Sequence, residues 1–187
     1  MPKKLFIAID GSNFYRKLRN EEIGCKHPAD FDYAGFVKFL SKNDKIIQVS
    51  YYVGQVREES GNEKSKNLKK DQDRFLARLQ NLGFKVKRGY ILKSDSGYHE
   101  KGVDVQIAVD ICMMAVRKEY DHLILVSSDT DLIPAIKEVK GLGKEVEYVG
   151  FDFSPSFALI RFSDSRTLLK KEDLVKFTKK QIKKRLR

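Results

Sequence analysis

The segment from His122 to Pro134, HLILVSSDTDLIP, constrains this 187-residue chain more than any other. Leu123, Ile124, Leu125 and Val126 are apolar without alternation, the mark of a central parallel strand covered on both faces. Two small hydroxyl residues follow, then carboxylates at alternate positions, Asp129 and Asp131, then the apolar period of a helix at Leu132, Ile133 and Ile136. A core strand thus delivers acids to its carboxyl end, where open α/β sheets place their ligands. The first strand, Leu5 to Ile9, ends in the same way with Asp10-Gly11-Ser12-Asn13. There Gly11 permits a sharp turn, and Ser12 or Asn13 can cap the helix begun by Phe14 to Leu18.

The remaining periodicities supply the frame around these two strands. A helix is predicted at Tyr33 to Leu40, capped by Asp30 or Asp32, and a β-branched and aromatic strand at 46–53. Residues 55–70 read as a polar surface connection merging into a helix at 68–82, followed by a strand at 84–92 and a turn or small hairpin at 93–101. The run GVDVQIAVDICMMAV at 102–116 is apolar on nearly every side, which predicts a helix buried inside the domain. Beyond the His122 segment come a helix at 132–139 stopped by Gly141 or Gly143, a strand at 145–149, a short helix from Ser154-Pro155 to Phe162 and a further helix over 171–187. Five strands separated by helices predict a three-layer α/β/α fold with a mostly parallel, doubly wound sheet in the order 3-2-1-4-5 and an extra C-terminal helix. The expected division is a domain at 1–164 and a basic extension at 165–187. In that order strands one and four are neighbours at the switch point, which brings Asp10 and Asp129 together.

Charge adds a statement about partners. The chain carries a net +11, and Lys170 to Arg187 holds nine basic residues against two acidic ones. Such a balance fits a polyanionic partner, with Lys101 and the tail residues Lys179, Lys180, Lys183, Lys184 and Arg185 gripping phosphates. A solvated basic helix, or a tail that meets a protein partner, are the other readings. No apolar run is long enough for a membrane span, and the stretch before Asp10 is too short for a signal-peptide core, so a cytoplasmic location is expected. Cys25 and Cys112 stand in no metal-ligand spacing.

Asp104 and Asp110 sit in the apolar run at 102–116, and an ionised acid buried without a partner is costly. They lie roughly 120° apart around a helix, so they cannot point at one spot. Asp104, near the helix start, reads as a ligand, and Asp110, nearly two turns deeper, as a structural acid, with the reverse left open. The acids at the strand ends are then Asp10, Asp104, Asp129 and Asp131, with Ser12, Asn13 and Ser128 alongside. Acids crowded in this way demand cations, and hard oxygen donors without His or Cys point to Mg²⁺ or Mn²⁺. Phosphodiester hydrolysis is the chemistry such a cluster suits. Asp131 reads equally as a helix cap.

Four motifs together, IDGSN at 9–13, KGVDV at 101–105, AVD at 108–110 and VSSDTDL at 126–132, resemble the NYN-domain proteins, the LabA-like branch of the PIN-like nuclease superfamily. The resemblance covers about residues 4–150. It implies a PIN-like fold, Mg²⁺ or Mn²⁺ held by Asp10, Asp104, Asp129 and Asp131, and cleavage of single-stranded RNA, with Asn13 orienting water or the scissile phosphate. Where the family often reads SGDSD, this chain has Ser128 for the glycine and Thr130 for the serine, which leaves the acids in place. A fold of this kind that binds nucleic acid or regulates without turnover is the alternative, and whether the chain forms a homodimer is left open.

Overall fold

A computed structural model describes residues 1–56, 58, 61–94 and 97–178, with the backbone alone for 91–94 and 97–100. The strands β1 (Lys4–Asp10), β2 (Lys45–Val53), β3 (Lys85–Arg88), β6 (His122–Val126), β7 (Glu145–Phe151) and β8 (Ser165–Leu169) build one parallel sheet. Its order is β3-β2-β1-β6-β7-β8. Between β3 and β6 in the chain, β4 (Tyr90–Ser94) and β5 (Gly97–Lys101) form a separate antiparallel hairpin.

Burial on the central strands alternates between two cores. Leu5, Ile7 and Ile9 of β1, with Ile124 and Val126 of β6, pack against α1 (Gly11–Arg19), α2 (Tyr33–Ser41) and α3 (Glu63–Asn81) through Phe14, Phe36 and Leu76. Phe6, Ala8, Leu123 and Leu125 face the other way, onto α4 (Val103–Val116), α5 (Ile133–Gly141) and α6 (Phe157–Phe162) through Ile107, Ile136 and Leu159. This is why the strands read as unbroken apolar runs: every position meets a helix layer. A short α7 (Lys171–Val175) follows β8, and the Phe177 carbonyl after it accepts from the Asp32 N–H at 2.8 Å. Phe177 also packs edge-on to Phe31 and Phe36.

The layer arrangement and the order of the first five sheet strands are as predicted, with four differences in the elements. The sheet has a sixth strand, β8, whose SRTLL sequence is half polar because it lies on the edge with one side toward solvent. The single strand predicted at 84–92 breaks at Gly89, whose N–H bonds the carbonyl of Val53 at 2.9 Å. Val53 is the last residue of β2, so the chain has no partner beyond it and turns into the hairpin. Helix α3 begins at Glu63 within the expected polar connection, because the Asn62 side chain caps the Ser65 N–H at 3.2 Å. Finally, α4 is not enclosed: Ile107 and Ile111 reach the sheet, while Val105, Val109, Met113 and Val116 are exposed.

The turn from β1 into α1 is sterically fixed. A Cβ at Gly11 would overlap the Tyr51 ring and come within 2.6 Å of the Tyr52 carbonyl oxygen. The Tyr51 hydroxyl in turn donates to the Gly11 carbonyl at 3.3 Å. Gly11→Ala is therefore expected to cost about 1–3 kcal/mol through overpacking, measured by urea unfolding. An unchanged midpoint would show that the Tyr51 ring yields at no cost.

Candidate functional site

At the sheet's switch point the chain leaves β1 for α1 on one face and β6 for α5 on the other, which opens a crevice at the carboxyl ends of the two strands, with α4 beginning on the α5 side. Asp10 continues the parity of Phe6 and Ala8 and so belongs to the α4 side. Ser127 continues that of Leu123 and Leu125 and belongs there too. They meet: Ser127 Oγ donates to Asp10 Oδ2 at 2.9 Å. The other carboxylate oxygen, Oδ1, accepts the Asn13 N–H at 3.0 Å and caps α1. Asp10, rather than Ser12 or Asn13, is thus the cap. One step further, the Asp129 N–H donates to Ser127 Oγ at 3.1 Å, and Asp129 Oδ1 accepts the Asp131 N–H at 2.9 Å. Ser127 joins the two strand-end acids through a single hydroxyl.

Asp104 arrives from the first turn of α4, after Gly102 in the left-handed region at φ 85°. Burial pushes the proton affinity of the Asp10 carboxyl up, the bonds from Asn13 and Ser127 oppose this, and the charges of Asp104 and Asp129 add to the rise. Asp104 is raised in the same direction by burial and then by Asp129 and Asp131. Acids from three separate elements therefore share one electrostatic neighbourhood. Asp10 is 5% exposed, Asp104 and Asp129 are partly buried, and Asp131 faces solvent.

The other predicted residues divide. Ser12 is exposed on the first turn of α1, Asn13 is partly buried there, and Lys101 is exposed at the end of β5. Ser128 Oγ is buried with no hydrogen-bond partner among the described residues. Lys179, Lys180, Lys183, Lys184 and Arg185 lie outside the described residues. Asp110 faces away from the cluster and is satisfied locally. It accepts from the Tyr52 hydroxyl at 3.0 Å and from Gln106 Nε2 at 2.8 Å, with Lys87 Nζ at 3.7 Å. Ser127 is the member of the site that motif reading passed over, although its parity with Leu123 and Leu125 points it at Asp10.

For a divalent ion the donor set is chemically apt: hard oxygens, mutual repulsion that a cation would relieve, and an orphaned buried hydroxyl beside Asp129. Among the described residues no three acids stand close enough, as placed, to enclose an ion.

The opposite end of the sheet shows what paired charges look like in the same fold. Glu147, 3% exposed, accepts from Thr167 Oγ1 at 2.5 Å and from Lys42 Nζ at 3.3 Å. His122 Nδ1 lies 2.8 Å from Asp44 Oδ2. Burial alone would raise Asp44, yet His122 and the Lys3 N–H bring it below the ordinary carboxylate range.

A parallel α/β/α sheet with acids gathered at the carboxyl ends of its two central strands is an arrangement that fits the PIN-like class of nuclease folds. Within that class the chain belongs to the NYN domain family, whose profile matches residues 4–169. It is 30% identical over 161 residues to the uncharacterized protein MJ0482 of Methanocaldococcus jannaschii, a match that covers 86% of this chain and 53% of the relative. The chain thus spans about half the length of that curated relative. Among solved structures it is similar to VPA0982 of Vibrio parahaemolyticus, a protein of unknown function. The TM-score is 0.69 at 23% identity, over 92% of this chain and 96% of that one, a likeness of fold. Among the described residues no helix is long and apolar enough to cross a membrane.

Two outcomes follow from the electrostatics. A carboxyl raised in the folded state favours folding below the ordinary carboxylate range and loses that contribution as pH rises through its folded value. Asp10→Asn, which cannot ionise, should therefore melt higher than the wild type at pH 7 in chelator. The gap should close as pH falls below about 4, as read by thermal melts across pH. Tyr52→Phe should cost about 1–3 kcal/mol by leaving Asp110 short of a donor. Its melting gap between Mn²⁺ and chelator should match that of the wild type.

Proposed function

We propose that the chain is a metal-dependent endoribonuclease that hydrolyses phosphodiester bonds of single-stranded RNA. The observation that supports this most is that Asp10, Asp104 and Asp129, from β1, α4 and the loop after β6, come within electrostatic range of one another at one end of the sheet. A fold that served only as a scaffold would gain nothing from facing these charges at one another, and structural acids elsewhere in the molecule carry partners.

Asp10, Asp104 and Asp129 would hold Mg²⁺ or Mn²⁺, with Asp131 on the ion or its water. When bound, the ion lowers the pKa of its water and neutralises charge on the leaving oxygen. The chain's own groups set the geometry. Ser127 and the Asn13 N–H fix both oxygens of Asp10 and leave each a further lone pair. Asn13 and Ser12 present polar side chains from the first turn of α1 beside the place where a scissile phosphate would sit, and Lys101 adds a positive charge from the α4 side. The basic residues from Lys179 to Arg185 would add phosphate contacts or meet a protein partner.

The wide set of the acids favours a second reading, a module of this fold that binds RNA or regulates without turnover. A labelled single-stranded RNA, incubated with Mn²⁺ or with chelator, separates the two. Cleavage that needs the ion, and falls by at least roughly 100-fold in Asp10→Asn and in Asp129→Asn while RNA binding persists, is the expected result. Full cleavage in either variant overturns the nuclease reading. Metal stabilisation without cleavage selects the silent module.

A further inference from the structure

A groove of about 830 Å³ begins at Gly11 and Ser12, one residue from Asp10, and runs away from the acids between α1 and α3. Its α1 wall presents Ser12, Tyr15 and Arg19 on successive turns, a span of roughly 10 Å. Its α3 wall presents Leu68, Asp71, Phe75 and Arg78 at helical spacing over about 15 Å, with Arg74 beside them. The loop after α1 contributes Lys26 and His27. The α3 wall is tied to the segment where β2 leaves the sheet: Gln72 Nε2 donates to the Gly54 carbonyl at 2.8 Å, and Gln72 Oε1 accepts the Val56 N–H at 2.7 Å.

Two properties of the groove bear on its occupant. Arg19, Lys26, Arg74 and Arg78 outnumber the lining acids, Asp30 and Asp71. Arg74 pairs with Asp71 at 3.5 Å and Arg78 with Asp30 at 3.7 Å, whereas Arg19 and Lys26 have no acidic partner among the described residues. The walls also carry apolar surface that phosphates alone would not use. Tyr15 and Phe75 are partly exposed, Leu68 is 52% exposed, and Arg78 lies over the Phe75 ring at 5.8 Å. Cations that track a backbone, interleaved with aromatic faces, are what unpaired bases need, since a duplex hides its base faces in its own stack.

We infer that this groove is the track for the single-stranded RNA flanking the scissile phosphate, with Arg19 and Lys26 on its phosphates and Tyr15 stacking a base. The inference rests on the nuclease reading for its orientation, since the groove opens at Gly11, the residue that follows Asp10. It gives the protein a way to choose single strands that does not depend on the acids themselves.

The test measures anisotropy of a labelled single-stranded RNA, and of the same sequence as a duplex, in the Asp10→Asn background, and cleavage of the single strand in the otherwise wild-type protein. In the binding assay, Arg19→Ala with Lys26→Ala should flatten the slope of log affinity against log salt by about 1.4, at roughly 0.7 per phosphate contact. Tyr15→Ala should weaken binding by at least about fivefold with the slope unchanged, and Tyr15→Phe should restore it. Thermal melts confirm that these surface variants remain folded. If the single strand binds and is cleaved but none of the groove variants alters either, the groove is overturned and the nuclease reading stands. If the groove variants weaken binding while the wild type cleaves nothing, the groove is supported and the nuclease reading fails. Tighter binding of the duplex, or no binding of the single strand at 50 mM salt, overturns the groove.

Discussion

The hydrogen bond from Ser127 to Asp10 holds the molecule's working corner together. It crosses the junction between β1 and β6, where the helices diverge to opposite faces, and it ends on a carboxylate that also caps α1. One side chain thereby closes a helix terminus, ties the two central strands and supplies an acid to the crevice. A neutral cap would serve the helix nearly as well, since Ser, Asn and Asp rank alike at that position. What a neutral residue would not supply is a charge facing Asp104 and Asp129. The penalty of keeping that charge out of water is visible in the raised proton affinity of Asp10.

The contrast between the two ends of the sheet gives this a physical meaning. At the amino end, Glu147 and Asp44 are surrounded by Lys42, Thr167 and His122, and Asp44 is shifted toward easier ionisation. At the carboxyl end, burial and the facing acids outweigh the donors Ser127 and Asn13 on Asp10, and for Asp10 and Asp104 the shift runs the opposite way. Burial opposes ionisation at both ends: at Asp44 the donors His122 and Lys3 outweigh it, whereas at Asp10 and Asp104 it prevails and the neighbouring acids add to the rise. Opposed shifts in one small domain separate acids held by donors from acids that face one another across the crevice.

Much of this was legible in the residues. β1 and β6 are legible because both of their faces are covered, and the acids that end them follow directly from those apolar runs. The exposed stripe on α4 was not legible: an all-round apolar helix reads as enclosed, and only the packing shows that Val105 and Val109 point outward. β8 escaped because an edge strand keeps polar residues on its open side, and Ser165, Arg166 and Thr167 break the apolar pattern. Ser127 reads in the sequence as one of two hydroxyls in a loop, though it extends the strand's own alternation. The groove could not be seen at all, since Tyr15, Lys26 and Arg74 come from three stretches that only the folded chain brings side by side.

The packing of Gly11 against Tyr51 and the Tyr52 carbonyl reaches beyond local fit. Because backbone there lies flush on the neighbouring strand, the corner between the acids and the groove has no room to accept a side chain of any size. Sequence change in such a scaffold is then easiest at its outer borders, along α3 and the hairpin of β4 and β5, while the seam at its centre stays bare.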